Sequence, residues 1–374
     1  MALGIVEWSI LIITAAFGIL VILFLLQTFI KRRSAWSILI SLVLGFLAGL
    51  VAIINELWFA DSFILNTIFQ SLHLNLYGFH FFFFYIFFEQ LISKKFNSIR
   101  LSIMIGLILL QTIGLWSVIY YRLNSISADL AWVLADIGNW TPAIFVYTFG
   151  IIIYIKTYIY TKEIKPILFC IALIFVDIGF IISFLNDYYF IANVFGVSLS
   201  KPDIIDFVGS IGNVFPSVGI IMFVITYLVD INYIYRLPND IYLLMVLTKV
   251  GTPLHTVKLK TRKKIRIEEV LLSGMISAIN SVFKEIFKKD TVINEISSEG
   301  ISIIMKAGDN ILSLVITDKP TYFLEKALSR YVKAFEKEFE KEIKSGIKDL
   351  VVFDRAIDLL HSIFPFFIIE KSGV

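Results

Sequence analysis

Apolar residues run almost unbroken through the first part of the chain, then break past Pro238 into short periodic segments. Seven runs, at about 7–30, 36–58, 63–92, 101–121, 130–156, 166–186 and 204–229, are long enough to cross a bilayer, because a spanning helix takes about 20 mostly apolar residues. The third contains FHFFFFYIFFEQ (Phe79–Gln90), in which eight of twelve residues are Phe or Tyr. A soluble domain could hardly hide so many rings in one turnless stretch. In hydrocarbon, rings cost nothing to expose, while every backbone N–H and C=O must bond within a helix.

From Asn239 the period shortens. Residues 241–249 form an apolar run of strand length, Gly251-Thr252-Pro253 a turn, and LHTVKLK an apolar–polar alternation. Apolar positions at Leu271, Met275, Ile279, Val282 and Ile286 have helical spacing. Three short strands follow in VINEISS, GISIIMK and ILSLVIT, with turns at Glu299-Gly300 and at residues 308–310. A helix over 321–345 carries the stripe Leu324, Leu328, Tyr331, Phe335 and Phe339. A last one over 352–364 points Phe353, Ile357, Leu360 and Phe364 inward. The order β-β-α-β-β-β-α-α predicts an antiparallel five-stranded sheet with one helix on one face and two on the other. The expected fold class is thus a multi-domain membrane protein: a seven-transmembrane α-helical bundle over 1–238 and a cytoplasmic α+β domain over 239–374.

Composition agrees: 58% of residues are hydrophobic and 17% charged, against about 45–50% and about 25% in globular proteins. The net charge of +3 is too small to point to nucleic acid, and the single Cys170 excludes an intrachain disulfide. The first run lacks a basic leader, so it reads as a first span rather than a cleaved signal. Loop charge sets the orientation. Lys31, Arg32 and Arg33, then Lys94, Lys95 and Arg100, then Lys156, Lys162 and Lys165 occupy alternate loops; the other loops hold Asp61, Arg122, Asp129, Asp187, Lys201 and Asp203. The positive-inside rule places the N-terminus outside and residues after span 7 in the cytoplasm of a multi-pass cell-membrane protein. Glu89 then sits at the inner interface beside Lys94, within reach of headgroups or a nearby cation.

Polar groups inside spans usually face the bundle interior. Glu7, Glu56, Gln70, His73, Asp136, Asn139 and Asp206 fall in the outer half of their spans and Asn213 and Asp177 nearer the middle, while the inner half is almost purely apolar. With Trp58, Tyr77, Trp132 and Trp140 they outline a candidate outward-facing ligand pocket; the alternative is hydrogen bonding that holds helices together. His73 and His80 share a helix face, but nothing in the spacing supplies the further ligands of a metal site, and span 7 has no lysine for a Schiff base with retinal. Neither metal nor cofactor is expected. Gly209, Gly212, Pro216 and Gly219 suggest close packing and a kink in span 7. In the second domain, Lys258, Lys260, Arg262, Lys263, Lys264 and Arg266 form a basic patch suited either to anionic lipid or to water.

LHLNLYGFHFFFFYIFFEQ in the third span and ITYLVDINYIYRLP at the exit of the seventh resemble the seven-helix sensor region of prokaryotic histidine kinases. No kinase follows: neither His255 nor His361 precedes a glycine-rich ATP-binding segment. The resemblance implies signal reception without phosphorylation. KVGTPLHTVKL and DKPTYFLEKALSRYVKAFEKEF resemble the first hairpin and the long helix of longin domains, relatives of roadblock modules. That resemblance implies a platform binding a small Ras-like GTPase or another longin or roadblock module, with homodimerisation open. No Walker loop, zinc-ligand cluster or nucleophile elbow appears, so no enzyme is expected. The leading expectation is a receptor-like sensor; the alternatives are a membrane-anchored scaffold or a small-molecule transporter.

Overall fold

The computed structural model describes residues 5–30, 36–199, 202, 212, 214–230, 233–259, 261, 267–288, 293–345, 349–364 and 367. Six long helices come first: α1 (Ile5–Ile30), α2 (Trp36–Ile54, continued by a π-helical turn Asn55–Phe59), α3 (Phe63–Ile92), α4 (Ser98–Leu123), α5 (Asp129–Thr161) and α6 (Lys165–Val194). Their ends are set locally. The Asn97 carboxamide caps α4 by accepting from the Arg100 amide at 3.0 Å, and Pro166 occupies the first turn of α6, where its missing N–H has no role. The next helix, α7 (Val214–Val229), is the described part of the seventh expected run; Asp206, Gly209 and Asn213 lie outside the described residues.

Among the described residues, seven helices are long and apolar enough to cross a membrane, which supports a multi-pass membrane protein. They are α1 to α6 and, against expectation, Glu269–Phe287 of the second domain; α7 is apolar but shorter as described.

The chain forms two compact units, one of residues 1–89, 96–155 and 164–231, the other of residues 90–95, 156–163 and 232–374. In the first unit α6 packs closely on α7. A Cβ on Gly219 would stand 2.5 Å from the Ala172 carbonyl oxygen, and one on Gly179 would run into the Pro216 ring. The small residues of span 7 therefore act at a helix–helix contact, as in membrane packing generally.

The second unit contains β1 (Ile241–Thr248), β2 (Pro253–Lys258), α8 (Glu269–Phe287), β3 (Glu295–Ser298), β4 (Ile301–Ala307), β5 (Ile311–Thr317), α9 (Tyr322–Glu338), α10 (Glu340–Lys344) and α11 (Ala356–Ile363). The strands form one antiparallel sheet in the order β2-β1-β5-β4-β3. Alternation along each strand divides its residues between two faces. Leu243, Met245, Leu247, Met305, Leu314 and Ile316 pack with Leu272 and Ile276 of α8. The alternate residues Leu244, Val246, Ile304 and Val315 are equally buried, and α9 packs on β4, β5 and α11. The Thr321 hydroxyl caps α9, accepting from the Leu324 amide at 3.3 Å. Lys94, two residues past α3, bridges Glu295 at 3.1 Å and Glu325 at 3.2 Å within this unit.

Three expectations are corrected. The α8 stripe is turned outward: Leu271, Met275, Val282 and Ile286 are exposed, and the sheet covers Leu272, Ser273 and Ile276 instead. Periodicity shows that a stripe exists, not which neighbour covers it. The expected helix 321–345 breaks at Phe339, which is buried as the cap between α9 and α10. Ile357 is exposed, because a 3-10 turn at Val351–Arg355 resets the phase before α11 begins.

Candidate ligand-binding cavity

Within the first unit, a cavity of about 250 Å³ is lined by α1, α3, α5, α6 and α7. Its walls include Ile13, Phe17, Phe81, Phe180 and Ile220, with the polar residues His73, Tyr77, Asn139, Trp140 and Tyr147. Its volume falls just below the range of drug-sized ligand pockets, about 300 to about 1,000 Å³. No lining side chain is an acid, a lysine or an arginine.

Hydrogen bonds set what each polar group can offer. His73 Nδ1 lies 2.9 Å from the Ala48 carbonyl oxygen. A carbonyl only accepts, so the proton sits on Nδ1 and Nε2 is left as an acceptor in the neutral ring. Asn139 Oδ1 accepts from Gln111 Nε2 at 3.1 Å, and the same Gln111 amide donates to the Leu74 carbonyl at 2.7 Å. That fixes the Asn139 carboxamide with its NH2 unused. Among the described residues, no hydrogen bond reaches His73 Nε2, the Tyr77 hydroxyl or Asn139 Nδ2. Trp140 is committed elsewhere: its Nε1 donates to Asp187 Oδ2 at 2.7 Å.

His80 stands two turns further along the same face of α3 and is buried. Its Nδ1 donates to the Ser41 carbonyl at 2.8 Å, so its Nε2 accepts from the Tyr147 hydroxyl, at 3.5 Å. Both histidines therefore lean on α2 through backbone carbonyls. Among the described residues there is no group of three or more His, Cys, Asp or Glu able to hold a metal ion.

The cavity thus presents an imidazole acceptor, an amide donor and a hydroxyl inside aromatic walls. Such a site suits a small, uncharged, largely apolar molecule carrying one donor and one acceptor. Of the sequence-based pocket residues, the structure brings His73, Tyr77, Asn139 and Trp140 to it. Asp136 is half-buried one turn before Trp140 but does not line the cavity; Gln70 is exposed. Glu56 is exposed beside Glu7 and Leu57 at a separate, smaller hollow. Asp206 and Asn213 lie outside the described residues.

Sequence reasoning missed Gln111, Tyr147 and Phe180. Gln111 was legible as a lone amide in an apolar run, whereas Tyr147 and Phe180 are indistinguishable from many other span aromatics. Glu89 is buried, and the nearby cation it reaches is Arg100, at 2.6 Å. Of the basic patch, Lys258 is exposed and pairs with Glu269 at 3.1 Å; Lys260, Arg262, Lys263, Lys264 and Arg266 lie outside the described residues. Comparisons with protein-family models, with curated proteins and with solved structures found no match to this chain.

Proposed function

We propose that the protein is a membrane receptor that binds a small uncharged molecule in the helical cavity and passes the event to its α+β domain. The observation that carries this reading is the set of three uncommitted polar groups, His73 Nε2, Tyr77 OH and Asn139 Nδ2, around an otherwise apolar cavity. Groups placed only to hold helices together would be paired with one another. The chain itself offers a route: α3 carries His73 and Tyr77 and continues unbroken to Ile92, and its last turn belongs to the second compact unit. A ligand shifts such a system only by binding its two states unequally. In this reading the second unit is a longin-like platform that recruits or regulates a small Ras-like GTPase or a related module from the cytoplasm. The scaffold reading accounts for His73 Nδ1 and Asn139 Oδ1, which bond neighbouring helices, but not for His73 Nε2, Asn139 Nδ2 and the Tyr77 hydroxyl facing one cavity.

Full-length protein in nanodiscs tests the proposal with a panel of small neutral alcohols, amides and indoles, read by thermal shift. Some members should stabilise the protein. Tyr77→Phe should weaken the effect, and Ile13→Trp, which fills the cavity, should abolish it, while Gln70→Ala leaves it intact. Shifts that ignore Ile13→Trp would refute the cavity. Capture of GTP-loaded over GDP-loaded small GTPases, changed by a stabilising compound, tests the coupling. Capture that never depends on the nucleotide would refute the platform.

A further inference from the structure

A second hollow, of about 30 Å³, adjoins the cavity inside the first unit. The two share Phe17, Tyr147 and Ile220 as wall residues. Position along the helices shows how they are arranged. Leu20 follows Phe17 on α1, Phe84 follows Tyr77 on α3 and Phe223 follows Ile220 on α7, while on α6 Val176 and Leu173 precede Phe180. Four helices thus shift their walls by one to two turns in one sense, α6 reading in reverse as an oppositely directed span should. The hollow continues the cavity along the bundle axis, away from His73 and Asn139. His80, on its wall, stands seven residues from His73, about 10 Å along α3.

Its chemistry differs from that of the cavity. Among its described wall residues the polar side chains are His80 and Tyr147, and these bond to each other. His80 Nδ1 is taken by the Ser41 carbonyl. The volume exceeds the roughly 10–15 Å³ that one water needs, yet a water there would find no free partner. Such hollows stay dry and accept apolar groups. What parts it from the cavity is the shared set Phe17, Tyr147 and Ile220, side chains from three different helices, and the bond that holds Tyr147 to His80 is long, at 3.5 Å.

We propose that the ligand is a neutral amphiphile: a compact head of amide or alcohol type bonded by His73, Tyr77 and Asn139, and one slim, unbranched alkyl tail whose end passes between Phe17, Tyr147 and Ile220 into the dry hollow. The hollow then sets the tail length that the protein accepts. The inference rests on the cavity reading and adds the class of ligand. A secondary amide matches the head site, its N–H meeting His73 Nε2 and its carbonyl meeting Asn139 Nδ2.

The test uses full-length protein in nanodiscs and N-alkylacetamides from N-methyl to N-octyl, with dissociation constants from thermal shift. Affinity should rise roughly fourfold per added CH2 up to a limiting length and then level off or fall. Leu20 is buried on the wall of the hollow. Leu20→Ala enlarges the space and should move the limit to longer chains. Leu20→Phe fills it and should move the limit to shorter ones, with N-methyl and N-ethyl binding unchanged in both variants. Phe223→Leu enlarges the hollow from α7 and replaces Leu20→Ala if that variant does not fold. Uptake of the amides by the bilayer also grows with chain length, but equally for every variant, so differences between variants carry the result. A limit that stays at one length in the enlarged and filled variants overturns the tail, while the cavity reading stands if the short amides still lose affinity with Tyr77→Phe. Amides whose binding ignores both Tyr77→Phe and Ile13→Trp refute the cavity reading itself, and this inference with it.

Discussion

Glu89 and Arg100 form an ion pair whose two halves should be very unequal to lose. The Glu89 side chain is 0% exposed, whereas that of Arg100 is 34% exposed. Glu89 Oε1 accepts from Arg100 Nε at 2.6 Å and from the Tyr85 hydroxyl at 3.0 Å; Oε2 has no partner. Arg100→Ala therefore strands a carboxylate that water cannot reach, held by one tyrosine. Removing one partner of a buried pair costs about 3–5 kcal/mol. It also removes the guanidinium from the Phe149 ring, 5.2 Å away. Glu89→Gln leaves a cation that is one-third exposed and can turn to headgroups, and the new amide still accepts from Tyr85. The pair's own contribution is discounted by solvent on the Arg100 side, so the loss should be nearer about 1–2 kcal/mol, the scale of a charged hydrogen bond. Adding Glu89→Leu to Arg100→Ala should recover stability, because no charge is then left behind. Reversible unfolding of the full-length protein in mixed micelles measures all three. Equal losses for Arg100→Ala and Glu89→Gln, or a double variant no better than Arg100→Ala, would refute the reasoning.

Gly219→Val places methyl groups where the Ala172 carbonyl already lies and should cost about 1–3 kcal/mol, as overpacking does; the loss should appear as a lower melting temperature with the second unit's protease resistance unchanged. In the second unit, Phe335 is fully buried and stacks on Phe353 with ring centroids 5.6 Å apart. Phe335→Ala should cost about 3–5 kcal/mol, seen as rapid proteolysis within 239–364 while the helical unit stays intact. His255 supplies a pH dependence. Burial lowers its pKa below the ordinary 6.5, with the Asp354 carboxylate opposing in part. Below about pH 6.5 the unfolded chain takes up a proton that the folded imidazole refuses, so stability falls as pH drops through that range and is flat above it. His255→Gln should flatten the profile in denaturant titrations of the second unit; an unchanged slope would remove His255 as the cause.

Much of the architecture is written in periodicity. Runs of about 20 apolar residues can satisfy their backbones in lipid only as helices, so α1 to α4 were legible within a few residues, while α5 and α6 run on past their expected ends to Thr161 and Val194. Short turns, strand-length apolar runs and, in LHTVKLK, apolar–polar alternation located all five strands; β1 and β5 are buried on both faces and so read as continuous apolar runs. The stripe of α9, from Leu324 to Phe335, was equally plain, and it is buried against β4, β5 and α11. For the cavity, His73, Tyr77, Asn139 and Trp140 could be named because polar groups inside apolar spans are few. Which of those groups are free was not legible. That depends on Ala48 meeting His73 and Gln111 meeting Asn139, contacts made between different helices. The burial of Glu89 likewise follows from where α4 places Arg100. The outward face of α8 is the clearest case. Spacing along a helix repeats whether the stripe meets a sheet, a bilayer or water, and only the packing of Leu272 and Ile276 on the sheet decided which side was left uncovered.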